Sequence, residues 1–292
     1  MPTVSQITRF RNQKRAKQLR NPWMRIGLGF SIVICLLGVI GCLSGLWFFT
    51  NLTRDLPSIE VLPSLLEPPD GVLLQPTRFY DRTYEYVILT LENPAATGKQ
   101  YLYVGKEGQI EKGQFSPYII EATIAALDPG FWKHAGYTVT GWSEGTHPTL
   151  AQRLVSDLIL IDEPATLQRN IRERLLAAQI TARYGQEKIL EWYLNSAQYG
   201  DLIYGADAAA HVYFGKSATM LDLAEASMLT AISKTPPINP FSGSQMFKQQ
   251  HKQVIQAMLD NGFITASEAQ SAKEEDLRFQ TRPETRPIAP VF

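Results

Sequence analysis

Ile26 to Phe49, IGLGFSIVICLLGVIGCLSGLWFF, is a run of 24 residues without a charged side chain. About 20 apolar residues suffice to cross the hydrocarbon core of a bilayer. A cleaved signal peptide would be shorter and end at a small-residue cleavage site, so the run predicts an uncleaved transmembrane helix over 26–49. The next segment, NLTRDLPSIEVLPSLLEPPD, holds four prolines and little periodicity, and reads as a stalk over 50–70. Between 71 and 105, GVLLQPTRFYD, EYVILTLE and YLYVG predict three short strands separated by turn formers.

From Pro117 onward the pattern is helical. SPYIIEATIAAL carries proline at its first turn and Ser116 at the N-cap position, and Asp128-Pro129-Gly130 then stops it as a turn. A helix from Pro164 to Tyr184 sets Leu167, Ile171, Leu175 and Ala178 on one face, with Gly185 as its stop. QEKILEWYLNSA, GADAAAHVYFG, LDLAEASMLTAIS and SQMFKQQHKQVIQAMLDNG predict four more helices, and TASE opens a last short one with a capping-box pattern. The expected fold class is mainly α, with a small β element and one N-terminal transmembrane helix. The folded domain is placed at 71–275 and a disordered tail at 276–292.

Charge adds an orientation. The chain has 28 basic and 28 acidic residues, but seven of the bases lie in 1–25 and no acid precedes Asp55. Subtracting those seven leaves 21 bases against 28 acids, a net of −7 for the remainder. A basic arm beside an apolar span holds its end in the cytoplasm, so residues 1–25 are read as a cytoplasmic arm and the domain as extracytoplasmic, on a single-pass membrane protein. The bilayer is then a partner, and a nucleic acid is not expected. Both cysteines, Cys35 and Cys42, fall inside the span. The outer domain therefore has no disulfide, thiol nucleophile or thiolate ligand. Its four histidines show no ligand spacing, and no structural metal is expected.

Lys188 to Pro240, KILEWYLNSAQYGDLIYGADAAAHVYFGKSATMLDLAEASMLTAISKTPPINP, resembles the later motifs of the family 51 glycosyltransferases. These are the peptidoglycan polymerase domains of class A penicillin-binding proteins and of monofunctional transglycosylases. PTRFYDR and SPYIIEATIAALD are similar to segments that precede the family's first motif. The resemblance implies a lysozyme-like helical fold against the membrane. It also implies a lipid-linked disaccharide as substrate, a glutamate that deprotonates the acceptor hydroxyl, and cations that hold the departing diphosphate, with a divalent ion as the one cofactor the family would suggest. That division has a physical basis: a sugar hydroxyl is a poor nucleophile that needs a base, and a leaving diphosphate gathers negative charge.

Motif by motif, the chain departs from the family. The first motif, E-D-x-x-F-x-x-H-x-G, is represented by Leu127, Asp128, Phe131, His134 and Gly136, so the base alone is replaced. Asp128 is one residue off and shorter by a methylene, and it also suits a turn-capping role before Pro129. The second motif, G-G-S-T-x-T-Q-Q-L-x-K-N, keeps Thr149, Gln152 and Leu154. It has Pro148 for the serine, Arg153 for the second glutamine, Ser156 for the lysine and Asp157 for the asparagine. The joining segment 137–146 is shorter than the family's, and it contains Glu144, a further candidate acid. The third motif, R-K-x-x-E, keeps Arg169 and Glu173 and has Asn170 for the lysine. Four residues apart on a helix, Arg169 and Glu173 share a face, as a surface ion pair or as a substrate contact.

By resemblance the candidate catalytic acids are Glu173 and Asp128. The candidate substrate contacts are Arg169, Thr149, Gln152, Arg153, His134 and Asn195. Phe131, Trp132, Trp142, Tyr193, Tyr199, Tyr204 and Tyr213 could stack on sugars, but at helical spacing most are expected in the core. The reading that follows is a membrane-anchored glycosyltransferase-like domain with reduced or lost polymerase activity, binding lipid-linked precursor, glycan or a wall-synthesis partner. The alternatives are an active monofunctional polymerase with a relocated base and a membrane-tethered structural domain. No S-x-x-K stretch lies outside the span, so a fused transpeptidase is not expected.

Overall fold

The structure is a computed structural model and describes residues 22–68, 71–91, 98–105, 113–140, 147–234 and 245–279. Glu144, Trp142, most of the basic arm and all but the first residues of the tail lie outside the described residues. The chain divides into two compact units, 1–56 and 57–292. The first contains helix α1, Pro22–Thr53. Ile26–Thr53 within it has a mean hydropathy of 2.6, long and apolar enough by length and composition to cross a membrane.

The second unit is mostly helical. The segment expected as a stalk is divided by the unit boundary. Beyond it α2, Val61–Leu66, buries Leu62 and Leu66. Glu67 then meets Lys188 at 3.2 Å, and Ile59 offers its carbonyl to the Tyr184 hydroxyl at 3.4 Å. Prolines at 57, 63 and 68 punctuate this segment without preventing one buried turn. Strands β1, Thr77–Tyr80, and β2, Val87–Leu91, form within two of the predicted strand segments and pair antiparallel. The third predicted strand does not form: Tyr103 makes only an isolated bridge to Gln114. Side chains replace the missing neighbour. Asn195 accepts from the Leu102 N–H at 3.2 Å and donates to its carbonyl at 2.8 Å, while Glu191 accepts from the Val104 N–H at 3.3 Å.

Helix α3, Pro117–Leu127, starts on proline as expected, but the Ser116 hydroxyl does not cap it and donates instead to the Leu221 carbonyl at 2.7 Å. Then come α4, Leu150–Leu158; α5, Leu167–Tyr184; and α6, Gln186–Ser196. A short pair, β3 (Gln198–Gly200) and β4 (Ile203–Tyr204), precedes α7, Ala206–Phe214. Helix α8, Leu223–Ser233, is closed by a capping box of Asp222 and Glu225 and buries every residue from Ala226 to Ile232. A helix apolar on all sides belongs in an interior, and α8 is the central post, packed by α3 and by α9, Gln245–Asp260. Small residues let these helices approach: Ala122, Ala125, Ala224 and Ala231 meet Val254, Ile255 and Met258. Helix α10, Ala266–Glu274, begins with the predicted capping box of Thr265 and Glu268.

Helix α5 differs from expectation in the stripe it buries. Leu167 is exposed, and the inward face is Arg169, Asn170, Glu173, Arg174, Leu176, Ala177 and Ile180. Its first half is thus polar and buried, so a search for an apolar stripe selects the wrong face. Of the candidate aromatics, Phe131, Tyr193, Tyr199 and Tyr213 are core, whereas Trp132 and Tyr204 are exposed.

Gly136 lets the chain turn under α5. Its φ is +87°, and a Cβ there would lie 2.6 Å from the Ala177 carbonyl and overlap the Thr181 hydroxyl. Gly136→Ala is expected to destabilise the fold by about 2 kcal/mol or more, through left-handed strain and the clash together. A lowered denaturant midpoint with an unchanged slope checks it.

Candidate active site

Three elements converge: the C-terminus of α3, the start of α4 and the buried half of α5. Leu127 ends α3 and is only 6% exposed. It supplies no proton acceptor where the family resemblance puts one. Beside it Asp128 is buried and doubly engaged. One oxygen accepts the Leu150 N–H at 3.0 Å, at the first turn of α4, and the other accepts from His134 Nε2 at 2.8 Å. The opposite ring nitrogen, Nδ1, accepts the Gly136 N–H at 3.0 Å, so the ring proton sits on Nε2, aimed at Asp128. Asp128 and His134 thereby fasten the loop after α3 to the start of α4. Thr149 caps that helix: its oxygen accepts the Gln152 N–H at 3.1 Å and its hydroxyl donates to the Gly136 carbonyl at 2.7 Å.

Glu173 has no solvent exposure. Gln152 Nε2 donates to one of its oxygens at 2.9 Å. The orientation of this amide follows from its other end, where Gln152 Oε1 accepts the Thr138 N–H at 3.3 Å. The second Glu173 oxygen receives His147 Nδ1 at 2.8 Å, with Arg169 NH1 at 3.7 Å. Arg169 also donates to the Ser156 hydroxyl at 2.8 Å and to the Leu160 carbonyl at 3.3 Å. Ser156 Oγ lies 3.3 Å from His147 Nε2 and closes a ring of Arg169, Ser156, His147 and Glu173. The sequence reading missed His147 and the part Ser156 plays. A histidine two residues before a helix cap carries no mark of a partner 26 positions later.

The structure therefore gathers Glu173, Arg169, Gln152 and Thr149 in one cluster, with Asp128 and His134 as a second pair joined to it through Gly136 and Leu150. It does not bring Asn195 there, because that side chain is spent on Leu102 and the Glu191 carbonyl. Arg153 faces a different set of groups. Its Nε is buried and has no hydrogen-bond partner among the described residues. Burial holds the Lys234 ammonium below its ordinary range, and the Arg153 charge adds to this. Burial also pushes the Tyr193 hydroxyl up to about 12, against the pull of Arg153. Asp157 keeps an exposed surface, yet the protein around its carboxyl raises it above the ordinary range, while His147, Arg153 and Arg169 pull it down. The result is two crowded cations with one acid nearby. An anion placed between them would relieve their repulsion. Among the described residues no three His, Cys, Asp or Glu side chains gather, and each oxygen of Asp128 and Glu173 accepts a hydrogen bond from the protein.

Glu173→Ala is expected to cost about 3–5 kcal/mol, because it strands buried Arg169 without its counter-charge and leaves His147 Nδ1 without its acceptor. Urea denaturation of the full chain in detergent measures this, and a change below about 0.5 kcal/mol would mean that the buried carboxylate is not the anchor of the cluster.

A family model described as Transglycosylase matches residues 98–259. Penicillin-binding protein 1A of Aquifex aeolicus (strain VF5) is 31% identical over 268 residues, covering 84% of this chain and 33% of that protein. Penicillin-binding protein 1A of Neisseria gonorrhoeae is 32% identical over 181 residues, covering 58% of this chain and 23% of that one. The crystal structure of penicillin-binding protein 1A from Haemophilus influenzae aligns with 72% of this chain and 22% of its own, at 19% identity and a TM-score of 0.39. The chain spans about a third of the length of the curated relatives it matches most fully.

Proposed function

Because the chain belongs to the transglycosylase family, we propose that it is a membrane-anchored domain that binds lipid-linked disaccharide precursor or nascent glycan and polymerises it far more slowly than relatives with a glutamate at position 127. The carrying observation is the state of the three residues that could have been the base. Leu127 cannot take a proton, and Asp128 and Glu173 are buried with both oxygens of each engaged by the protein's own donors. With both oxygens held inside the fold by the protein's own donors, neither carboxylate is placed within reach of a sugar hydroxyl. A positioned general base contributes about 10²–10⁴ in rate, so its loss leaves a binding site with weak turnover.

Precursor binding has its own support. Arg153 and Lys234 crowd each other, and the Arg153 Nε is orphaned. Both features suit a diphosphate, which would accept from the free N–H and offset the paired positive charge. The helix Ile26–Thr53 would hold the domain at the bilayer where such a lipid resides. The seven bases before it would keep that end in the cytoplasm, leaving 57–292 outside, where other wall-synthesis proteins could meet it.

The test is paired. Full-length protein in lipid nanodiscs should bind a lipid-linked disaccharide diphosphate. It should also extend glycan about 10²-fold or more slowly than a relative with the glutamate. Leu127→Glu should raise the rate, and Arg153→Gln should weaken binding. Ordinary polymerase turnover by the unaltered chain would refute the reduced-activity reading, and failure to bind any precursor would refute the binding reading.

A further inference from the structure

We propose that His147 is the general base of the turnover that remains, with Glu173 as its positioning partner. The inference rests on the reading that the cleft receives a lipid-linked precursor. It departs from the motif comparison, in which position 147 corresponds to a glycine and carries no chemistry.

The geometry is that of an oriented imidazole. Nδ1 lies 2.8 Å from a Glu173 oxygen, and a carboxylate oxygen at that distance takes the Nδ1–H. The proton is thereby held on Nδ1, and Nε2 keeps its lone pair. Nε2 is only loosely occupied, 3.3 Å from the Ser156 hydroxyl. The His147 side chain is 18% exposed, whereas that of Glu173 is fully buried. Within the ring of Arg169, Ser156, His147 and Glu173, the imidazole is thus the most exposed side chain, placed to meet a substrate hydroxyl. The groups facing it are Glu173 and Arg169 from α5, and Ser156 and Asp157 from α4.

Ser156, His147 and Glu173 also stand in the order of a hydrolytic triad. Ser156 is not the nucleophile, because it is buried within α4 and its oxygen is held by Arg169 at 2.8 Å. An incoming sugar hydroxyl would take its place at Nε2. His147 removes the hydroxyl proton as the oxygen bonds to the anomeric carbon of the donor sugar. The anomeric C–O bond to the diphosphate breaks, and its electron pair leaves with the lipid diphosphate. The imidazolium so formed is stabilised by Glu173 and returns its proton to water or to the leaving diphosphate.

The substitution to make is His147→Ala in the full chain in nanodiscs, with bound precursor and glycan product both measured. Precursor binding should be kept, and residual turnover should drop by about 10²-fold or more. Added free imidazole should restore part of the rate, which a purely structural role for His147 would not allow. Unchanged turnover with binding intact, no detectable turnover in the unaltered chain despite binding, or a loss that imidazole cannot rescue would each overturn the assignment of His147. Absence of precursor binding in the unaltered chain would instead sink the reading of the cleft itself.

Discussion

A carboxylate without solvent contact must have its charge met from inside, and Glu173 sets that requirement where α4 packs on α5. Burying an uncompensated carboxylate costs several kcal/mol, so the chain supplies Gln152 from α4, Arg169 from one turn earlier on α5, and His147 from the approach to α4. Each partner is itself held. Gln152 is oriented by Thr138, and Arg169 by Ser156 and Leu160. Arg174, next along α5, donates to the carbonyls of Thr138 and Thr140 and fixes the same segment from its other side. The packing of α4 on α5 is therefore specified by polar geometry as much as by the apolar contacts of Leu154, Val155, Leu176 and Ile180.

Asp128 performs the matching task at the joint between α3 and α4. A helix leaves its first N–H groups unpaired. Thr149 meets the one at Gln152, and Asp128 meets the one at Leu150. The two acids that a search for a base would nominate are thus the two on which the local fold leans. Structural and catalytic demands on a carboxylate conflict: oxygens held inside the fold by the protein's own donors are not placed to meet a substrate. An imidazole with one nitrogen committed and the other loosely placed avoids this conflict, and His147 has that arrangement.

Much of the fold was legible because it rests on local rules. The uncharged run at 26–49, proline at the first turn of α3, Gly185 after α5 and the capping box at Thr265 each announce an element through neighbours in sequence. The buried face of α5 was not legible. Periodicity locates an inner stripe by its apolar residues, and here the first half of that stripe is Arg169, Asn170, Glu173 and Arg174. The strand expected at 101–105 failed for a related reason, since the donors and acceptors that complete it are side chains of Glu191 and Asn195 about 90 residues away. His147 and Glu173 could be paired only in three dimensions.

The same distinction explains why the family likeness is strongest where it says least about chemistry. Asp207, in the later motifs, is buried and accepts the N–H groups of Gln100 and Ala218 and the Ser217 hydroxyl, each at 2.7 Å. Tyr213 donates to the Tyr199 carbonyl at 2.8 Å, and Asn195 holds Leu102. These residues build a scaffold, and a scaffold can persist while a site changes. The departures fall around Asp128 and Glu173: Leu127, Ser156 and Asn170, all buried. They are coupled. A lysine at 156 would place a second cation against Arg169 and leave that guanidinium free to face a ligand. Serine instead accepts from Arg169 and draws it into the wall, beside a histidine that a lysine would have repelled whenever it carried charge. Serine at 156 and histidine at 147 therefore belong to one arrangement, in which both side chains are hydrogen-bonded into the ring that holds Arg169 and Glu173.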